Sequence, residues 1–122
     1  MRVALRTFTP SPKYGNRKVT LGADTFDSAA EARRWGELQA LQRAGCISDL
    51  QRQVKFVLLD AIPRVGNKPG QRAISYVADF VYVGEAGWKV VEDVKGVRTE
   101  VYRLKAKLMR AVHGIEITEV SA

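Results

Sequence analysis

One cysteine and one histidine stand in a chain of 122 residues, and that poverty excludes several chemistries at once. A lone Cys46 forms no internal disulfide, which suits a reducing cytoplasm, the expected location. One Cys with one His cannot build a zinc finger and leaves little for a histidine-based nuclease. A thiol nucleophile at Cys46 has no evident base, because His113 stands before Gly114 in what reads as a helix end, with Gly114 in the left-handed conformation. No run of about 18 or more apolar residues is present, and no signal peptide is visible. A soluble protein without a membrane partner is therefore expected.

What is present is a folding composition with a charge imbalance. Apolar residues make up 46% of the chain, and 20 Lys and Arg face 13 Asp and Glu for a formal charge of +7. The length suits one domain with a real core. The sign of the charge favours phosphate polymers or anionic surfaces as partners and is silent about catalysis.

Residues 1–25 are polar, basic and broken by Pro10, Pro12, Gly15 and Gly22. They read as a mostly irregular arm with one short strand at Lys18–Leu21, and residues 26–122 read as a single domain. Lys13, Arg17 and Lys18 give the arm a positive face, either a solvated tail or a clamp on nucleic-acid backbone. Ser28-Ala29-Ala30-Glu31 fits a capping box opening a helix to about Ala44, stopped at Gly45. Trp35, Leu38 and Leu41 mark its buried stripe, and Glu31 shares that stripe. A strand follows at Val54–Leu59, then a loop over Ala61–Gln71. Gln53, just before that strand, reads as a structural hydrogen-bonder close to the site described below. Ile74–Val83 and Trp88–Lys95 read as a hairpin. Thr99 caps a second helix through about Val112, with Val101, Leu104 and Leu108 inward, and Ile115–Val120 is the last strand. The order helix, three strands, helix, strand predicts an α/β sandwich around a mixed sheet.

The hairpin carries charge where strands should be apolar: Asp79 in Val77-Ala78-Asp79-Phe80-Val81, and Asp93 in Val91-Glu92-Asp93-Val94-Lys95. A three-residue loop Glu85-Ala86-Gly87, with Gly87 left-handed, sets Asp79 opposite Asp93 and puts Lys95 on the same face. A four-residue loop would set Glu92 there instead. In the first register two carboxylates could hold Mg²⁺ and Lys95 could orient a water or stabilise developing charge; otherwise the cluster is a structural cross-strand ion pair. Glu92 falls on the opposite face, toward a helix.

Asp79 followed by Asp93-Val94-Lys95 on the next strand, after a helix bearing Glu31, resembles the PD-(D/E)xK nuclease superfamily. Lys13-Tyr14-Gly15-Asn16, Thr25-Phe26-Asp27-Ser28, Glu31-Ala32-Arg33-Arg34, Tyr76-Val77-Ala78-Asp79-Phe80 and Val91-Glu92-Asp93-Val94-Lys95-Gly96 also resemble an uncharacterised family of small phage and prophage proteins. Ala78 stands where the superfamily name has proline. The resemblance implies a restriction-endonuclease-like α-β-β-β-α-β core with a central mixed sheet. It implies Asp79 and Asp93 as ligands to Mg²⁺ or Mn²⁺, Lys95 as the catalytic lysine, and Glu31 as a helix-borne acid reaching the metal through water.

Arg103, Lys107 and Arg110 recur on one face of the second helix and would meet the backbone of DNA. Tyr14 and Tyr102 could stack on bases, though packing is the more ordinary role. The expected function is a metal-dependent endonuclease on DNA in phage recombination or packaging, in a bacterial host. In compactness and motif order the chain is similar to archaeal-type Holliday junction resolvases, which implies a homodimer and branched DNA. The competing expectation is a non-catalytic nucleic-acid-binding accessory that kept the fold.

Overall fold

The computed structural model describes residues 18–21 and 24–122. Lys13, Tyr14 and Arg17 lie outside them. Two short strands, β1 (Val19–Leu21) and β2 (Asp24–Phe26), pair antiparallel. The end of the basic arm is thus a small hairpin, with a second strand that composition did not suggest. Helix α1 (Ala29–Arg43) follows, then β3 (Ser48–Leu59), β4 (Ile74–Val83), β5 (Lys89–Lys95), α2 (Glu100–Leu108), a π-helical turn (Met109–His113) and β6 (Thr118–Ser121). β3, β4, β5 and β6 form one mixed sheet in that order. β5 and β6 are parallel, which requires the crossover that α2 supplies.

Local chemistry sets the helix ends. Ser28 Oγ accepts the Glu31 N–H at 3.1 Å and Thr99 Oγ1 accepts the Tyr102 N–H at 3.1 Å, each relieving a helix-terminal donor. Gly45 and Gly114 close the helical segments at φ +82° and +67°, where a Cβ would be strained.

The two sheet faces carry separate cores. Leu38 of α1 packs with Phe80 and Tyr82, supported by Trp35, Leu50, Val90 and Val94. On the other face Tyr102 and Met109 pack with Tyr76, Ala78, Val81, Val91, Leu58 and Ile117. α2 therefore turns Leu108 inward as expected, but not Val101 and Leu104. Val101 and Leu104 are 62% and 56% exposed, while Tyr102, Ala106 and Met109, at spacings of four and three, face the sheet. Leu41 of α1 is likewise exposed.

Both β3 and β4 change faces partway along. Tyr76 and Ala78 lie under α2, but Phe80 and Tyr82, of the same parity, lie under α1. On β3, Val54, Phe56 and Leu58 pack under α2 and Leu50 under α1. Regular alternation forbids this, and the switch falls at Gln53 and Asp79, between the paired residues Arg52↔Phe80 and Val54↔Ala78. Gln53 takes φ +54°, an unusual conformation for a residue with a Cβ. It lies inside β3, which begins at Ser48 rather than at Val54.

Candidate active site

The β4–β5 turn follows the three-residue pattern. Gly87 has φ +87°, and the Gly84 N–H donates to Trp88 O at 2.9 Å. The ladder then runs Val83↔Lys89 to Phe80↔Glu92. One further step in that register sets Asp79 across from Asp93. Hydrogen-bonded and open pairs alternate along an antiparallel ladder, so the Val94 N–H should next meet the carbonyl of Ala78. It donates instead to Asp79 Oδ2 at 2.8 Å. A side-chain oxygen closes the ladder, and the strands part beyond it.

Five ionisable groups gather at this fork. Asp79 stands close enough to Asp93 and to Glu31 for each to influence it. Lys95 Nζ stands 3.4 Å from Asp93 Oδ2, and Tyr76 donates its hydroxyl proton to that same oxygen at 2.8 Å. Asp93 and Glu31 are buried, with 4% and 3% exposure. Burial, and then the neighbouring Asp93, push the Asp79 carboxyl up to about 9. Burial also holds Glu31 above the usual carboxylate range, with the charge of Asp27 adding to the effect. Burial and the neighbouring Asp93 thus favour the protonated form of Asp79.

Each charged group has a fixed seat. Glu31 Oε1 accepts the Asp27 N–H at 3.0 Å and Oε2 accepts Gln53 Nε2 at 3.1 Å. Glu31 is thus both the reciprocal acid of a helix cap, shifted by one residue from the usual pattern, and a neighbour of Asp79. Lys95 Nζ lies over the Tyr102 ring, 4.2 Å from its centroid, a favourable cation–π distance. Tyr102 is itself pinned by donating to Glu119 Oε2 at 2.9 Å, and Glu119 is held by Arg98. Glu92 faces α1, where its two oxygens accept Arg34 Nε at 2.9 Å and Nη2 at 2.7 Å, and it also accepts the Tyr82 hydroxyl.

Sequence reasoning missed Tyr76 and gave Tyr102 no part in holding Lys95. Strict alternation sets Tyr76 on the face away from Asp93, so only the switch at Asp79 brings them together. Tyr102 carried a signal, standing seven residues before Met109 on one helical face.

The cationic residues divide. Lys18 pairs with Asp27 at 3.1 Å and Arg110 with Glu116 at 3.1 Å. Arg103 and Lys107 are exposed and line, with Arg98 and Arg110, an open concavity of about 260 Å³ that Glu116 and Glu119 also border. The basic stripe exists, and its charge is partly offset.

As a donor set, the fork offers hard carboxylate oxygens whose crowding disfavours the charged form of Asp79, and a divalent cation would offset that repulsion. Among the described residues no three His, Cys, Asp or Glu side chains converge as a ready-made cage. Mg²⁺ commonly takes only one or two protein carboxylates and keeps water and substrate phosphate for the rest, so Asp79 and Asp93 fit it. No helix among the described residues is long and apolar enough to cross a membrane.

No curated protein matches the chain. A family profile matches residues 11–119, and on that extent the chain belongs to the family described as protein of unknown function (DUF1064).

Proposed function

We propose that this protein is a metal-dependent endonuclease hydrolysing DNA phosphodiester bonds on a restriction-endonuclease-like core. The observation that carries the reading is the fork itself: Asp79 across from Asp93 in the β4–β5 register, with Lys95 Nζ 3.4 Å from Asp93 Oδ2. A purely structural ion pair needs one acid for one base. Here two acids crowd together against the cost of burial, and Glu31 adds a third beside Asp79.

Asp79 and Asp93 would hold Mg²⁺ or Mn²⁺, with Glu31 engaged through water. A bound cation supplies charge neutralisation at phosphate oxygens and a more acidic water. The remaining work falls to the chain. Lys95, held by Asp93 and the Tyr102 ring, offers N–H donors to a phosphate oxygen as negative charge develops. Tyr76 keeps Asp93 in one rotamer. Arg103, Lys107 and Arg110 offer charge to the DNA backbone.

The decisive test is nicking of supercoiled plasmid and cleavage of linear, nicked, flapped and four-way DNA, with Mg²⁺ and with Mn²⁺. Metal-dependent cutting lost in Asp79→Asn and Asp93→Asn supports the proposal. DNA binding without cutting in either metal would leave a nucleic-acid-binding accessory protein. We extend the proposal to a two-fold homodimer acting on branched DNA. One chain supplies one carboxylate pair, and symmetric cutting of two strands needs two. Sedimentation with and without a four-way junction tests it; a strict monomer in both would leave a nuclease but not a resolvase. The same reading places the protein in a bacterial cytoplasm, encoded by a phage or prophage.

A further inference from the structure

The β3–β4 hairpin does not end where its sheet contacts end. The pair Leu59↔Ile74 closes the ladder, and the same register continues outward through Ile62↔Gln71 and Val65↔Lys68. Ile62 and Gln71 exchange both backbone hydrogen bonds at 2.8 Å, and Val65 and Lys68 do so at 3.1 and 2.9 Å. Gly66, at φ +58°, takes the first central position of the two-residue turn, where positive φ is required. Gly70 lies tight against the opposite backbone: a Cβ there would sit 2.6 Å from the Ile62 carbonyl oxygen. The segment is a loop between β3 and β4, as the sequence predicts, drawn into a narrow two-chain ribbon by two isolated bridges.

Every residue from Asp60 to Ile74 is exposed, so the ribbon buries no core. Ordering backbone costs roughly 1–2 kcal/mol per residue, and an arm ordered without a core to offset that cost calls for a partner. Its charge indicates which kind. The ribbon carries Arg64, Lys68 and Arg72, and no Asp or Glu occurs between Asp60 and Asp79. None of the three cations is in a salt bridge among the described residues, and Arg64 Nε donates to Gly66 O at 3.1 Å, which holds its guanidinium beside the turn.

Position adds the second argument. β4 begins at the ribbon and β5 ends at Lys95, and the two are antiparallel, so Asp93 and Lys95 lie at the end of β5 that points toward the ribbon, with Asp79 midway along β4. From the level of Asp79 to the Gly66-Asn67 tip the chain spans at most about 40 Å at ~3.3 Å per residue. That is close to one turn of B-form DNA, about 34–36 Å. A two-stranded ribbon also has the cross-section that a major groove admits.

We propose that the Asp60–Ile74 ribbon is a DNA-binding arm. It seats in the groove of duplex DNA within about one helical turn of the phosphate at the carboxylate fork, with Arg64, Lys68 and Arg72 on the flanking phosphates. The proposal rests on the nuclease reading for its ligand, but not on catalysis. The test is binding of a labelled duplex of about 30 base pairs, nearly three turns, by anisotropy in EDTA across a salt series. Three proteins are compared: wild type, Arg64→Ala/Lys68→Ala/Arg72→Ala, and a control of equal net charge, Arg33→Ala/Arg43→Ala/Lys89→Ala. The ribbon variant should bind about tenfold or more weakly, with a salt slope smaller by about 2 to 3, while the control stays near wild type. Equal losses in both variants would assign the effect to net charge and overturn the arm. No loss in the ribbon variant, with wild-type binding and cutting intact, overturns the arm and leaves the nuclease standing. Wild type that binds no DNA at any salt would remove both.

Discussion

The Val94 N–H donates to Asp79 Oδ2 at 2.8 Å, in the place where an unbroken ladder would offer the carbonyl of Ala78. One carboxylate thus both ends the pairing of two strands and faces its neighbour Asp93. These two duties separate by mutation. Asp79→Asn keeps an acceptor for Val94 and relieves the repulsion, so its stability should equal or exceed wild type while cleavage is abolished. Asp79→Ala strands a part-buried N–H and should lose about 1 kcal/mol or more. Urea unfolding beside a nicking assay measures both. Equal destabilisation of the two variants would show that the Val94 bond does not matter.

Metal-free stability should fall with pH. Burial and Asp93 raise the folded carboxyl of Asp79 from its ordinary 3.8 to about 9, so folding favours its protonated form. That contribution is fully present below about pH 4 and is lost as pH rises toward 9. The thermal midpoint of metal-free wild type should decline across this window relative to Asp79→Asn, whose amide does not titrate. Divalent metal competes for the same proton, so Mn²⁺ binding at pH 7 should release protons in wild type and fewer in Asp79→Asn. Calorimetry in two buffers of different ionisation enthalpy reads this; parallel behaviour of the two proteins would refute a raised carboxyl at Asp79.

Glu31 should be a supporting acid. Its oxygens are taken by the Asp27 N–H and by Gln53 Nε2, which leaves it little freedom to grip an ion directly. Glu31→Gln should lower cleavage roughly 10–100-fold, the usual cost of an outer-shell partner, with a small change in melting. Full activity in Glu31→Gln would reduce Glu31 to its capping role.

How much of this could be read from the chain depends on how local the cause is. The Glu85-Ala86-Gly87 turn fixed the hairpin register because Gly87 alone suits φ +87°, and that register put the acids together. Ser28 and Thr99 gave the helix starts for the same reason. The first half of β3, Ser48–Gln53, was invisible: Asp49 and Gln53 adopt positive φ, and a polar, irregular strand leaves no period to detect. The inward face of α2 was misjudged in part because a nine-residue helix with apolar side chains on several sides admits two stripes, and aliphatic Val101 and Leu104 outweighed Tyr102 and Ala106. The Arg34–Glu92 pair joins residues 58 apart, which no local pattern encodes.

That pair yields a stability prediction of its own. Glu92 is 1% exposed and accepts from Arg34 twice and from Tyr82, whose phenol is pushed up to about 12 by burial and by Glu92. Glu92→Gln replaces one acceptor with an amide that confronts donors, and should lose about 1–3 kcal/mol in urea unfolding. Glu92 faces α1, away from the fork, so cleavage well below the melting point should change by no more than a few-fold. A catalytic loss as large as that of Asp93→Asn, without destabilisation, would move Glu92 into the site.

Lys95 gives the sharpest contrast between binding and chemistry. Its ammonium sits 3.4 Å from Asp93 Oδ2 and 4.2 Å above the Tyr102 ring, so it is aimed by an anion on one side and a π face on the other. One cation among the 20 Lys and Arg of the chain adds little to backbone affinity. A positioned donor acts on charge that exists only in the transition state. Lys95→Ala should therefore bind duplex DNA within about twofold of wild type, because one phosphate contact shifts the salt slope by less than about 1. Its single-turnover cleavage should fall about 10²–10³-fold, as for other preorganised donors. Tyr102→Leu keeps the packing but removes the π face and the phenol, and should lower cleavage less than Lys95→Ala while leaving affinity alone. Lys95→Ala cutting at the wild-type rate would take the lysine out of the reaction and leave Asp93–Lys95 as an ion pair that serves the fold.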